Sequence, residues 1–184
     1  MQLQDTLDDY YRNHYPGRFP EFVQRENLAL LELVQHDKFI LDVGCGNNYF
    51  RSKFKNLIGI DPANSLADYE ETVEEFASRA VERSISKFDV AFCLGSINFG
   101  LEQNIIKQLK SLISLMKDTN KIYWRCNAGI DHSSTKYTKT KLDVFPWTME
   151  LHQTLSRQFG YRVVDSVWTN STDKQQRVYA EWCR

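Results

Sequence analysis

At 184 residues, with 42% hydrophobic and 26% charged side chains, the chain has the makeup of one compact domain able to bury a single substantial core. A formal net charge of −1 and a pI near 6.4 give no global attraction to nucleic acid, and no stretch approaches the roughly 18 apolar residues of a membrane span. The polar, acidic start Met1–Asp9 lacks the basic region and apolar run of a secretory leader, so the expected location is the cytoplasm.

Taken in chain order, the first distinctive stretch is Tyr10 to Pro20, dense in aromatic and hydrogen-bonding groups. Residues 21–35 carry Phe22, Val23, Leu28, Leu31 and Val34 mostly at helical spacing, with Pro20 suited to a first turn. A strand is predicted at 39–43, a helix at roughly 48–54, a second strand at 57–60 and a short helix at 64–69. Further strands fall at 88–94 and 120–126. Between them Leu101, Ile105, Ile106, Leu109, Leu112, Ile113 and Met116 line one side of a helix of about four turns. A helix near 147–158 precedes two β-rich segments, Tyr161–Thr169 and Gln175–Trp182, joined by a hairpin loop at Asn170–Lys174. This alternation demands crossover connections, hence an α/β fold with a doubly wound, mostly parallel sheet and a C-terminal antiparallel β-hairpin. The longest segment without periodicity, Ala128–Phe145, starts at the carboxyl end of a strand, the edge at which open α/β sheets bind ligands.

Four cysteines, Cys45, Cys93, Cys126 and Cys183, show no CxxC spacing and are expected to be reduced thiols, with no metal site and no disulfide framework. Lys136, Lys139 and Lys141, interleaved with Ser and Thr, read as a solvated loop.

The most informative run is Phe39 to Asn48 followed by Leu57 to Asp61. An apolar strand enters a turn holding Gly44 and Gly46, and a second apolar strand ends in an acid. Glycines let the turn be tight and bring its amides close to a ligand, while the acid faces the hydroxyls of a ribose. Both a dinucleotide and S-adenosylmethionine use such a site. The dinucleotide fingerprint needs a third small residue where this loop has Tyr49, which argues against a pyrophosphate there.

Asp42-Val43-Gly44-Cys45-Gly46-Asn47 resembles the first motif of class I S-adenosylmethionine-dependent methyltransferases, Gly59-Ile60-Asp61-Pro62-Ala63 resembles the second, and Phe88 to Ser96 looks like their fourth strand with its cofactor-facing end. The resemblance covers residues 37–126 well and the remainder loosely. It implies a Rossmann-like single domain over 1–184, with 1–36 as an N-terminal helical lid, 37–126 as the cofactor-binding core, and 127–184 as the acceptor-side loop, helix and hairpin. It also implies S-adenosyl-L-methionine as cofactor, held by Asp42, Gly44, Cys45, Gly46, Asn47, Asp61, Pro62, Leu94, Gly95 and Ser96. Members often carry an acid beside the adenine after the third strand; here the chain reads Phe76-Ala77-Ser78, so Phe76 packing and the Ala77 backbone take that role in this reading. From the lid, Tyr11 and Arg18, with Arg12, are the candidates to hold the methionine carboxylate or the acceptor.

Methyl transfer from a sulfonium is an in-line displacement that needs positioning and desolvation, with a base only where the acceptor carries a proton. The resulting expectation is a methyltransferase acting on a small polar acceptor, with Asn98 and His132 as catalytic candidates and Ser96, Asn127, Asp131 and Trp147 around them. His14 lies in the aromatic N-terminal segment, whereas His36 and His152 read as helix-surface residues. The segment Leu94 to Gly100 lacks the Asn/Asp-Pro-Pro-aromatic signature of enzymes that methylate base amines, and no Pro-Cys pair marks cytosine C5 methylation, so neither nucleic acid nor membrane is an expected partner. The alternative expectation is a catalytically inactive S-adenosylmethionine or nucleotide-binding module acting with a protein partner.

Overall fold

A computed structural model describes Asp5, Leu7, Asp9, Arg12 and residues 29–127, 144–170 and 177–184. Its sheet has six strands: β1 (Ile40–Val43), β2 (Leu57–Ile60), β3 (Phe88–Cys93), β4 (Met116–Asn127), β5 (Arg162–Val164) and β6 (Arg177–Cys183). They lie in the order β2-β1-β3-β4-β6-β5. The pairs β1–β2, β1–β3 and β3–β4 are parallel, and β6 runs antiparallel to both β4 and β5. The predicted mostly parallel sheet with an antiparallel end is the one observed.

The apolar residues of these strands alternate between two cores, as the period of two requires. On one face Leu41, Val43, Ala91, Cys93, Ile122 and Trp124 pack under three helices, α1 (Val73–Arg79), α2 (Glu102–Ser114) and α3 (Met149–Gln158). On the other Ile40, Val90, Phe92, Tyr123 and Tyr179 pack against Leu30, Val34, Phe50, Phe54 and Trp168. Ile105, Leu109 and Leu112 are the fully buried stripe of α2, as the helical spacing predicts.

Three elements differ from the sequence expectation. The segment 48–54 forms only a 3-10 turn, Tyr49–Ser52, because Asn48 enters it in the left-handed conformation at φ 55. Residues 64–69 form no helix: the Asn64 side chain accepts the Leu66 amide at 3.0 Å, an Asx turn that competes with helical bonding. The chain then returns along β2, meeting it in a single parallel bridge between Ile60 and Tyr69. Helix α1 was not anticipated, although Thr72 and Glu75 form a reciprocal capping box at its start.

A fourth correction concerns a side chain. His152 is fully buried on α3 rather than on a helix surface, stacked on Trp147 at 4.4 Å with Trp124 and Trp182 around it. The Trp182 indole N–H donates to His152 Nδ1 at 3.2 Å, and burial pulls the imidazole pKa down from 6.5 to about 3.

Candidate cofactor-binding site

The carboxyl edge of the parallel strands gathers the three segments that the sequence singles out. The turn after β1 is anchored to β2 by the Gly44 and Cys45 amides, which both donate to the Ile60 carbonyl at 2.8 and 3.1 Å. Gly44 (φ 67) and Gly46 (φ 53) occupy left-handed conformations that favour glycine. At Gly44 a Cβ would sit 2.5 Å from Ser96 Cβ, so the missing side chain is what lets the segment after β3 touch the first loop. At Gly46 a Cβ would meet nothing within 4 Å and would project into open space at the edge of the turn.

Asp61 closes the turn. Its carboxylate accepts the Gly46 amide at 3.0 Å through Oδ2 and the Ala63 amide at 2.9 Å through Oδ1. These bonds orient the carboxylate across the turn. Behind it Asp68 accepts the Gly59 amide at 2.8 Å, pairs with Arg51 at 3.0 Å and takes the Asn48 side-chain amide at 3.3 Å. The Asn47 side chain accepts the Asn64 amide group at 3.1 Å, linking the two loops again.

Asp42, buried in β1, has its pKa raised to about 7, first by burial and then by the negative charge of Asp61. Burial, followed by Asp42, Asp61 and Asp68, pushes the Cys45 thiol well above its usual range, so Cys45 lines the turn without serving as a nucleophile. The three carboxyl groups Asp42, Asp61 and Asp68 thus lie close enough to act on one another and on the thiol.

This geometry has counterparts among solved structures. The magnesium protoporphyrin IX methyltransferase of Synechocystis PCC 6803, crystallised with bound S-adenosylmethionine, matches with a TM-score of 0.67 over 100% of this chain and 98% of its own at 12% identity. A methyltransferase of Archaeoglobus fulgidus, described as S-adenosylmethionine-dependent, matches with 0.67 over 100% of both chains, also at 12% identity. The fold is that of the class I methyltransferases. Among curated proteins the tRNA U34 carboxymethyltransferase of Campylobacter curvus is 25% identical over 176 residues, and the match takes in 85% of this chain. The chain spans only 59% of that relative's length. No protein-family model matches it.

Within this class I fold the structure brings Asp42, Gly44, Cys45, Gly46, Asn47, Asp61 and Pro62 to one edge, and sets Leu94, Gly95 and Ser96 beside Gly44. Gly95 adopts φ 110, a second left-handed turn where β3 ends. Two expectations need correction. Phe76 does not present its ring to a ligand: it is completely buried under α1, against Tyr69 at 5.2 Å and Phe88 at 6.4 Å. Neither does Trp147 face the acceptor, since it too is fully buried, donating its indole N–H to the Ile97 carbonyl at 2.7 Å. Asn98 is buried at the strand–loop junction, where its carbonyl accepts the Phe145 amide at 2.8 Å. Ala77 remains on the partly buried side of α1.

Tyr11, His14, Arg18, Asp131, His132 and the lysines at 136, 139 and 141 lie outside the described residues. Of the N-terminal aromatic stretch only Arg12 is described, and it reaches the site. Its guanidinium donates to the Pro62 carbonyl at 2.6 Å and lies 3.5 Å from Glu70.

Sequence reasoning passed over Arg125 and Arg177, which β4 and β6 carry at the same edge. The signal was present: a lone arginine inside the apolar run Ile122 to Cys126. Among the described residues no cluster of metal-ligating side chains occurs, and no helix is long and apolar enough to cross a membrane. All four cysteines are free.

Proposed function

We propose that this chain is a methyltransferase that uses S-adenosyl-L-methionine to methylate a small polar acceptor. The observation carrying the cofactor assignment is the acidic turn. Asp61, held by two backbone amides beside an open space at Gly46, is disposed to accept ribose hydroxyls, and the further carboxylate of Asp68 behind it favours a sulfonium and an ammonium over a pyrophosphate.

The cofactor supplies an activated methyl group that is displaced by direct in-line attack. Gly44, Cys45, Gly46 and Asn47 contribute the backbone of the turn, Pro62 follows the ribose-facing acid, and Leu94, Gly95 and Ser96 bound the cofactor on the β3 side. Asn98 orients the acceptor near that junction, and His132 takes the proton where the acceptor has one to lose. Tyr11 and Arg18 belong to the N-terminal segment that covers the cofactor; the Arg12 contact with Pro62 supports that placement. The backbone of Ala77 remains the candidate for adenine recognition. A reducing, cytoplasmic setting fits the four free cysteines.

Calorimetric titration tests the cofactor. S-adenosylmethionine should bind with one site, and Asp61→Ala should weaken it by about 1–3 kcal/mol through lost hydrogen bonds. Equal or tighter binding of NAD to the unaltered protein would refute the assignment. The acceptor is tested by transfer of labelled methyl from the cofactor into cell extract fractionated by size. Label confined to nuclease-sensitive material would replace the small acceptor with an RNA such as the curated relative's name specifies.

A further inference from the structure

The loop that joins β3 to α2 is shaped by glycine rather than by regular structure: Gly95 and Gly100 stand at φ 110 and φ 100 at its two ends. Within it the Asn98 amide donates to the Ser96 carbonyl at 3.0 Å. Ser96 is also the residue against which the first turn is fitted, since a Cβ at Gly44 would come within 2.5 Å of Ser96 Cβ. The position of this loop therefore sets how the turn after β1 sits. Three contacts reach the loop from residues 144–147. Val144 forms an antiparallel bridge with Phe99, the Phe145 amide donates to the Asn98 carbonyl at 2.8 Å, and the Trp147 indole N–H donates to the Ile97 carbonyl at 2.7 Å.

The indole is itself held in place. Trp147 immediately precedes Thr148, the N-cap of α3, and His152, in the first turns of that helix, stacks on it at 4.4 Å with 20° between the ring planes. A side chain just before the cap packed on one four residues beyond it fixes the angle at which a chain enters a helix. Trp124 at 5.4 Å and Phe145 edge-on at 5.1 Å close in on the same ring, which is fully buried. Its N–H thus has a fixed direction, and removing it leaves a backbone carbonyl unpaired in the interior.

We infer that Trp147 is a positioning residue for the cofactor: by holding the Ile97 carbonyl it seats Ser96 against Gly44 and keeps the loops after β1 and β3 at the separation that S-adenosylmethionine requires. This rests on the cofactor reading above. The ring touches no ligand and acts through Ile97 and Ser96. Sites held on rigid, packed side chains keep their geometry, and a misplacement of about 1 Å transmitted from outside the site is enough to be felt in it. Coupling of this kind is reciprocal, so whatever the indole bond contributes to binding, bound cofactor returns to the indole bond.

The experiment compares Trp147→Phe with Trp168→Phe. Trp168 is the matched control, a fully buried indole in the opposite core that donates to the Trp124 carbonyl at 2.9 Å. Urea unfolding establishes that each variant is folded and how much stability it has lost, and calorimetric titration with S-adenosylhomocysteine gives the affinity. Trp147→Phe should weaken binding about tenfold, and Trp168→Phe should leave it within about twofold, at similar losses of stability. Unchanged affinity in folded Trp147→Phe, or equal weakening in both variants, overturns the inference. Hydrogen exchange of the indole N–H groups in the unaltered protein, followed by nuclear magnetic resonance, decides the matter even where Trp147→Phe does not fold. Saturation with S-adenosylhomocysteine should slow exchange at Trp147 several-fold and leave Trp168 as it was; no change at Trp147 overturns the inference. Failure of the unaltered protein to bind S-adenosylhomocysteine would refute the cofactor reading and this inference together, a result distinct from binding that the Trp147 variant leaves intact.

Discussion

Asp42 and His152 pull the stability of this protein in opposite directions with pH, and replacing Asp42 by Asn should expose the imbalance. His152 stays neutral in the fold, with a pKa lowered by burial from 6.5 to about 3. Below pH 6.5 the unfolded chain takes up a proton that the folded one refuses, so its contribution is lost as pH falls from 6.5 toward 3. Asp42 behaves oppositely: its folded pKa of about 7, against 3.8 in the unfolded chain, means that stability is lost as pH rises from 3.8 through about 7. Each full proton of difference is worth about 1.4 kcal/mol per pH unit. Between pH 5.0 and 6.5 the two slopes cancel, leaving the unaltered protein nearly level. Glu71 and Asp89, whose carboxyls are held below their usual range, act only in more acidic solution. Asp42→Asn removes one slope, so the variant should lose about 2 kcal/mol on going from pH 6.5 to 5.0. It should also be more stable than the parent near pH 8, where the buried carboxylate no longer has to ionise. Urea titrations across that range, with a constant m-value as the check on two-state behaviour, give the curves directly. Parallel curves for parent and variant between pH 5.0 and 6.5 would refute the argument.

Other outcomes can be read more quickly. Gly46→Val should strain a left-handed backbone by about 1–2 kcal/mol and fill the open space beside Asp61, weakening S-adenosylmethionine binding; unaltered affinity in a folded variant would contradict the proposed turn. Trp147→Ala should cost about 3–5 kcal/mol in urea unfolding, because it empties a fully buried site and strands the Ile97 carbonyl. A loss under about 1 kcal/mol would return that ring to the acceptor side. Iodoacetamide at pH 8 should label Cys45, Cys93 and Cys126 only slowly in the native protein and rapidly after unfolding, since burial raises all three thiols. Fast labelling of native Cys45 would mean a thiolate in the turn.

What could be read from the sequence depended on whether local rules and tertiary packing agreed. The strand–turn–strand unit from Phe39 to Asp61 was readable because apolar runs, two glycines and a terminal acid all describe one conformation, and the structure closes it through Asp61 onto Gly46. Residues 64–69 were misjudged because side chains, not helical bonding, organise them: Asn64 turns the chain, and Asp68 ties it to Gly59. Helix α1 carried its signature in the reciprocal capping pair Thr72 and Glu75, which the apolar periodicity of so short a helix does little to reinforce. His152 was placed on a surface because a lone polar residue on a helix is usually solvated; it shares its stripe with Leu155 and Ser156, which face the same buried cluster. Trp147 and Phe76 show the limit on the site itself, because an aromatic ring near a binding edge has the same sequence appearance whether it meets a ligand or the core.

The loop that follows Asp61 has a consequence for how this protein survives in concentrated solution. β2 is the last strand on its side of the sheet, and a bare outer strand invites pairing with another molecule. Here the outward groups toward its carboxyl end are already engaged: the Gly59 amide donates to Asp68, the Gly59 carbonyl accepts the Asp68 and Tyr69 amides, and the Asp61 amide donates to the Tyr69 carbonyl. A carboxylate standing in for a neighbouring strand shortens the template open to an incoming chain and puts negative charge where one would dock. The opposite border is formed by β5, only three residues long and beginning with the exposed Arg162. Short, charged borders of this kind disfavour edge-to-edge aggregation, and Asp68 is the residue through which the loop after Asp61 contributes to that protection.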